Sequence, residues 1–446
     1  MSTDSTHGPT PAPTTTRPAK KAKLAQLLTF KAKLPDHSQA ALDAIIREAK
    51  DSGLPDYSSS NHQREAREQL LRDSHGGQLG PLMQQAQLER PDGATETMHF
   101  ASFLVYLSAL YSAGGSFTQI LQRLHRTKPS TPLAPWGLTL YCDEIIPGNV
   151  LGRAERKCWA IYATFDDLAS VDLLCHEDLW LTLCVMRSTM VNALDAGVAQ
   201  MMRVILESIF GNELVHPQTG FLLKHDTGDT RLCFTWKMML CDGAAHKQVW
   251  SSKGDSGEKF CLLCANVRGM KSQADHEDED ECYHQAKTYS ELVLVTDDEL
   301  LASYQRLHAR QRTCSKKDFA RWQMATGLTW SKHALLLNDT LLQKNLLKPR
   351  SQFCHDYMHG ILQGTAPVVL YHTLQAISLR GLDAWEFLAQ YLQHFHFPPA
   401  WKCSHLASLL AKKKVEKYKA NQKVSAMASE ILALFPPVRH FIHTVV

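Results

Sequence analysis

Leu138-Thr139-Leu140-Tyr141-Cys142-Asp143 is a run of apolar and β-prone side chains that ends on a carboxylate. Residues 231–240 (RLCFTWKMML) repeat that form and run into Cys241-Asp242-Gly243. Stretches of this length and composition read as buried or half-buried strands. Working outward, residues 157–165 (KCWAIYATF) and 179–186 (LWLTLCVM) are two further strand candidates, and Pro147-Gly148-Asn149 is a turn between the first two strands. Met190, Leu194, Val198, Met201, Met202, Ile205, Leu206 and Ile209 then recur at helical spacing, and Gly211 stops that helix. The order is three strands, a helix and a strand, with one acid leaving the first strand and another leaving the fourth.

That order implies an α/β fold, a ribonuclease H-like mixed sheet with mostly helical flanks. The whole chain has 446 residues, enough for more than one domain. Hydrophobic residues make up 44% and charged residues 21%, which excludes a largely disordered or collagen-like chain. Lys+Arg 48 against Asp+Glu 45 leaves +3, so the global charge makes no case for nucleic acid. No apolar run is long enough to span a bilayer, so no membrane partner is expected. The polar start of the chain lacks the apolar segment of a secretory signal. Twelve cysteines in such a chain point to reduced thiols or metal ligands. All of them lie at or after Cys142, which excludes a zinc finger ahead of the core.

Residues 1–34 are a Thr/Pro/Lys-rich tail expected to be disordered, and Lys20-Lys21-Ala22-Lys23 within it fits a nuclear address. Residues 35–132 read as a helical N-terminal region, with amphipathic helices over 40–50 and 63–72 and an apolar one over 98–111. Gly114-Gly115 breaks that pattern, and Ser116 caps a further helix over 117–125. This last pair is either a DNA-binding helix-turn-helix or a cover for one face of the next domain. Residues 133–267 form the core and 268–350 a polar insertion with helices, whose acidic run 275–281 reads as a solvated loop. Residues 351–446 read as a helical C-terminal part. Its basic segment 411–423 (AKKKVEKYKANQK) either neutralises phosphates or is a solvated helix face.

Asp143 and Asp242 are the first pair that could carry chemistry. Strand ends of an open α/β sheet deliver side chains into one crevice. Two carboxylates brought together repel unless a cation sits between them. Magnesium or manganese takes such oxygen ligands, and a pair of these ions can activate water and stabilise the leaving oxygen of a phosphodiester. Either aspartate could equally be the start of a turn. Cys261-Leu262-Leu263-Cys264 supplies two thiols at zinc spacing, and zinc needs two more ligands. His355 and His359, one helical turn apart, are candidates, as are Cys354, Cys282 and His284. The alternative is two core cysteines. A third acid has to come from the C-terminal part. Glu386, in an otherwise apolar helix beside Trp385 and Phe387, is the first choice, and Asp356, Glu416 and Glu430 are the others.

These motifs together resemble the DDE/D transposases of the CACTA, Plavaka and Kyakuja–Dileera–Zisupton group. The resemblance rests on Asp143-Glu144 running towards Trp159-Ala160-Ile161-Tyr162, on Cys241-Asp242-Gly243-Ala244-Ala245-His246 leading through Lys253-Gly254 into Cys261-Leu262-Leu263-Cys264, and on Asp356-Tyr357-Met358-His359-Gly360. It covers roughly residues 137–400. The spacing is also similar to the catalytic core of the recombination-activating endonuclease and its Transib relatives, in which a Cys pair and a His pair share one zinc. The resemblance implies Asp143, Asp242 and Glu386 as magnesium (or manganese) ligands and catalytic residues. It implies Cys261, Cys264, His355 and His359 as a zinc site tying the insertion to the core. It further implies DNA (element ends and target) as partner, a nuclear location and a homodimer. Two departures stand out: Cys241-Asp242-Gly243-Ala244 replaces the family's Gly-Asp-Leu-Pro, and His355 lies one residue closer to His359 than in the relative's pair. The expected activity is DNA strand transfer. The rivals are a core retained as a catalytically silent DNA-binding or scaffold protein, and a simple metal-dependent nuclease.

Overall fold

The structure, a computed structural model, describes residues 79–146, 157–211, 217–267, 288–398 and 405–445. The helices expected over 40–50 and 63–72, the basic cluster at 20–23, the acidic run 275–281, Cys282 and His284 lie outside these residues. No helix among the described residues is long and apolar enough to cross a membrane.

A seven-stranded mixed sheet carries the fold, in the order β1 (Met83–Glu89), β2 (Thr95–Ala101), β5 (Leu181–Arg187), β4 (Cys158–Phe165), β3 (Trp136–Ile145), β8 (Phe234–Cys241), β9 (Phe353–His355). Its centre is β3 (Trp136–Ile145), β4 (Cys158–Phe165) and β5 (Leu181–Arg187), an antiparallel meander. β8 (Phe234–Cys241) lies parallel to β3 on its other side, and β9 (Phe353–His355) lies parallel to β8. From Trp136 to Leu140, β3 is buried at every position, which explains its near-continuous apolar sequence: helices cover both faces of a strand in this position. The same burial holds for Ala160, Ile161 and Ala163 of β4. Helices α1 (Phe103–Ala113), α2 (Gly115–Thr127) and α3 (Val198–Phe210) supply Leu104, Leu107, Leu121, Met201 and Ile205 to one core with these strands. Phe234 sits among Phe103, Phe165 and Phe210 at ring distances of 5.8, 5.4 and 5.9 Å.

α1 and α2 therefore cover the sheet. Both glycines at their junction have positive φ, and a Cβ on Gly114 would come within 2.9 Å of His225 Nε2. Past β8, helix α4 (Gly243–Val249) begins at once. The insertion then contributes a helical hairpin, α5 (Asp297–Thr313) and α6 (Lys316–Thr326), before the chain returns to β9. A second apolar core lies in the C-terminal helices α7 (Ala366–Ser378), α8 (Ala384–His394), α9 (Lys412–Asn421) and α10 (Ala428–Thr444), around Leu374, Trp385, Leu388, Tyr418 and Phe441.

Ser116 is not a cap, since α2 begins at Gly115 with Gly114 before it. Four further expectations need correction. The N-terminal region is not all helical: β1 (Met83–Glu89) and β2 (Thr95–Ala101) form a hairpin, and β2 pairs with β5 through Phe100 and Cys184. β1 reads polar because it is an edge strand, with Leu88 as its one fully buried side chain. The helix expected from Met190 begins only at Val198, since Gly197 (φ 53°) interrupts it after a short turn at Ser188–Val191. The strand over 231–240 is two strands that divide at Cys233: β7 (Thr230–Leu232) pairs with β6 (Phe221–Leu223), and β8 alone joins the large sheet. Finally, the C-terminal part opens with a strand, β9, not a helix.

Candidate active site at the carboxyl ends of three parallel strands

Cys142 of β3, Cys241 of β8 and His355 of β9 are register neighbours across the sheet. Each is followed by an aspartate. Asp143, Asp242 and Asp356 therefore emerge side by side from three adjacent parallel strands, and all three are half-buried. Three carboxylates thus stand next to one another at one end of the sheet, each one residue past its register position, and Cys142 and Cys241 before two of them are fully buried.

Each carboxylate is oriented by the chain itself. The Tyr141 hydroxyl donates to Asp143 Oδ2 at 2.9 Å. Burial pushes the Asp143 carboxyl above the ordinary carboxylate range, and the nearby Asp242 charge adds to that push, while Tyr141 and His359 oppose it. Asp242 caps α4, accepting the Ala245 amide on Oδ1 at 2.6 Å. The Asp356 amide donates to the Cys241 carbonyl at 2.9 Å, which extends the β8–β9 pairing by one residue. Asp356 Oδ1 accepts the Met358 amide at 2.8 Å, and its Oδ2 meets His359 Nδ1 at 2.6 Å. His359 stands on a π-helical stretch, Met358–Thr365, that begins two residues after the aspartate. Such wide turns are rare and occur often at functional sites.

His246 ties two of these acids together. It is 3% exposed, on α4 one turn after Asp242. Its ring stacks on Phe353 at 3.6 Å with 12° between planes, and its Nε2 lies 2.9 Å from the Cys354 carbonyl. The Trp250 indole N–H donates to Nδ1 at 3.2 Å, so the proton of the neutral ring sits on Nε2 and is donated to Cys354. Burial brings this imidazole down to about 4, which keeps it neutral. The sequence reading gave His246 no role. Its signal was the spacing of four from a helix-capping Asp242, on a face otherwise apolar.

The other candidates sit elsewhere. Glu386 is exposed on α8, in the first turn of that helix, where its amide donates to Asp383 and its Oε1 accepts from Gln390. Those bonds are local to α8, whose buried face belongs to the C-terminal core. Glu430 bonds the Met427 amide and His405. Glu416 is exposed on α9. Cys261 and Cys264 meet each other, and Cys264 is pushed up to about 11, first by burial and then by that contact. Their loop pairs with the segment that closes the insertion: Ala265 N–Val293 O at 2.7 Å, Val295 N–Leu263 O at 3.0 Å. His355 and His359 belong instead to the acid cluster. The cysteine pair and the histidine pair are thus held by different surroundings. Among the described residues, no three His, Cys, Asp or Glu side chains close on one point as a metal cage.

No protein-family model matches the sequence, and no curated protein matches it significantly.

Proposed function

We propose that the chain is a phosphodiester-cleaving and strand-transferring enzyme of the DDE/D transposase type, built on a ribonuclease H-like sheet, with Asp143, Asp242 and Asp356 as its acids. The carrying observation is the emergence of these three aspartates from neighbouring parallel strands. The strand order β5-β4-β3-β8-β9, with the first three antiparallel and the last two parallel to β3, supports the same reading. Asp356 takes the third place here, and Glu386 does not, because Asp356 follows a strand of the sheet.

The donor set is all oxygen and half-buried, which suits magnesium or manganese. The raised Asp143 carboxyl also fits, since a cation relieves both its burial and the Asp242 charge. Asp242 and Asp356 are already engaged by α4 and His359, and the three are adjacent without converging. Bound magnesium would supply Lewis-acid activation of water and charge stabilisation at the leaving oxygen. The chain's own contribution is orientation: Tyr141, the α4 amide and His359 each fix one carboxylate. The prior engagement of Asp242 and Asp356 supports one second reading, a core that binds nucleic acid without cleaving it.

The test is magnesium-dependent nicking and end-joining on duplex DNA by wild type and Asp143→Asn. Nicked and joined products from wild type, lost in the variant, support strand transfer. Fragments without joined products indicate a nuclease, and no product from either protein favours the silent core.

A further inference from the structure

The outer half of the α5–α6 hairpin is one of two strongly basic stretches of the chain, the other being 412–423 around α9, and it is the one rooted beside the candidate acids. Between residues 306 and 321 it has six Arg and Lys against one acid, Asp318, in a chain whose total is only +3. Arg306, Arg312, Lys316, Lys317 and Arg321 are exposed, and among the described residues no carboxylate pairs with any of them. Asp318 is taken up by Ser315, whose hydroxyl donates to it at 2.6 Å. Arg310 and Arg312 lie in the last turn of α5, where the helix dipole favours cations. Lys316 and Lys317 open α6, where it disfavours them. Lys316 and Lys317 stand where a cation costs helix stability, and with no carboxylate paired to them among the described residues they are open to an anion from outside the chain. The exposed Trp322 face next to them is covered by Arg310, 3.2 Å from the ring centroid, which holds that guanidinium at the surface.

The hairpin is also rooted on the segments that lead to the acids. Leu300, Tyr304 and Leu307 bury its base in the main core, and the Tyr304 hydroxyl donates to the Thr329 carbonyl at 3.0 Å. At its start, Asp297 accepts the Arg350 and Ser351 amides at 2.7 and 3.0 Å, on the segment that leads into β9 and Asp356. At its end, Lys253 N–Gly327 O (2.8 Å) and Thr329 N–Ser251 O (2.7 Å) join it to the loop after α4, the helix that Asp242 caps. Both roots thus lead back to the candidate acids.

We infer that the tip of the α5–α6 hairpin is a nucleic-acid-binding arm that contacts the phosphates of the duplex presented to Asp143, Asp242 and Asp356. This rests on the phosphodiester reading above. With six basic side chains against one carboxylate, Asp318, and a guanidinium braced on an exposed indole, the tip matches a phosphate backbone.

The experiment is fluorescence anisotropy of a labelled duplex of arbitrary sequence with the full chain in magnesium-free buffer, over a salt series. It compares wild type, Arg312→Gln/Lys316→Gln/Lys317→Gln, and Lys412→Gln/Lys413→Gln/Lys417→Gln on α9. Removing three phosphate contacts lowers the salt slope by about 2.7, so between 50 and 200 mM salt wild type loses roughly forty-fold more affinity than the arm variant. The exposed arm substitutions leave the melting temperature unchanged or raise it, since two of the three relieve a helix N-terminus. An equal slope in wild type and arm variant overturns the proposal, as does an equal loss in the α9 variant or equal competition by polyglutamate. Binding and cleavage separate the two readings. Arm-dependent binding without cleavage leaves the arm standing and removes the enzyme, while cleavage with arm-independent binding removes the arm alone.

Discussion

Replacing His246 with phenylalanine tests the link between α4 and β9 directly. In the wild type the ring is held neutral by burial at about 4, against an ordinary value of 6.5. A depressed value means the unfolded chain takes up a proton that the folded chain refuses. The resulting stability is fully present above pH 6.5, is lost progressively as pH falls, and is gone below about 4. At 1.36 kcal/mol per unit, the full loss is roughly 3 kcal/mol, and about 2 kcal/mol of it falls between pH 7.5 and pH 5. The phenylalanine ring can keep the stack on Phe353 but cannot titrate. It also gives up the bonds to the Cys354 carbonyl and the Trp250 indole, which costs about 1–3 kcal/mol at pH 7.5. Denaturant unfolding of both proteins at the two pH values gives the difference. Wild type should lose about 2 kcal/mol more than the variant on going to pH 5. His355, also lowered by burial, and Asp143, raised, titrate in both proteins and largely cancel. Parallel losses in the two proteins, or a wild-type imidazole that titrates near 6.5 by NMR, would refute the buried, neutral tie.

Asp356→Ala should reduce magnesium-dependent cleavage by on the order of 10²-fold or more, while Glu386→Ala leaves it within about twofold; single-turnover rates on a nicked duplex decide between them. Phe234→Ala, in the aromatic centre of the main core, should cost about 3–5 kcal/mol, read from denaturant midpoints at constant slope. If Cys261 and Cys264 are two ligands of a zinc ion, metal content falls in Cys261→Ser/Cys264→Ser and stays unchanged in His355→Ala; atomic absorption on purified protein separates that outcome from a zinc shared with the histidines.

The parts of this fold that could be read in advance are those in which burial imposes a period. β3, β4, β5 and β8 are central strands and carry long apolar runs, so their existence and the aspartates late in β3 and just after β8, Asp143 and Asp242, followed from residue type alone, while the break at Cys233 did not. α3 was legible for the same reason, apart from its first turns, where Gly197 overrides an apolar spacing that continues through Met190 and Leu194. β1, β2 and β9 had no such signal. β1 shows Met-Gln-Gln-Ala-Gln-Leu-Glu because an edge strand has little to bury, and its partner was absorbed into the apolar pattern of α1. β9 is three residues long, and it exists because Met239, Leu240 and Cys241 offer it a ladder.

The missed strand changed the site. While Phe353-Cys354-His355 counts as helix, Asp356 is one acid among several in a helical region, and an acid beside Trp385 and Phe387 looks more inward-facing. Placed on the sheet, Asp356 stands at the same level as Asp143 and Asp242, because each follows one of the register partners Cys142, Cys241 and His355. The same step separates the histidines from the cysteines. His355 ends a strand and stacks edge-on against His246 at 5.2 Å, and His359 turns to Asp356, so both belong to the acids. Cys261 and Cys264 close the base of the insertion, where Cys264 pairs with Leu294. One three-residue ladder thus brings Asp356 beside Asp143 and Asp242, and under the proposed function it makes Asp356 the third acid. Losing it should cost activity before it costs the fold: β9 contributes few buried side chains, yet Asp356 has no other means of reaching the sheet end. On the proposed activity, His246→Ala, which removes both the stack and the bond to Cys354, should lower cleavage even under conditions where the variant is still fully folded. Hydrogen exchange should find the Phe353–His355 amides freed in that variant while those of β3 and β4 stay protected. Equal deprotection of all three strands would show instead that β9 is an inseparable part of the core, and would remove the argument that the third acid is positioned independently.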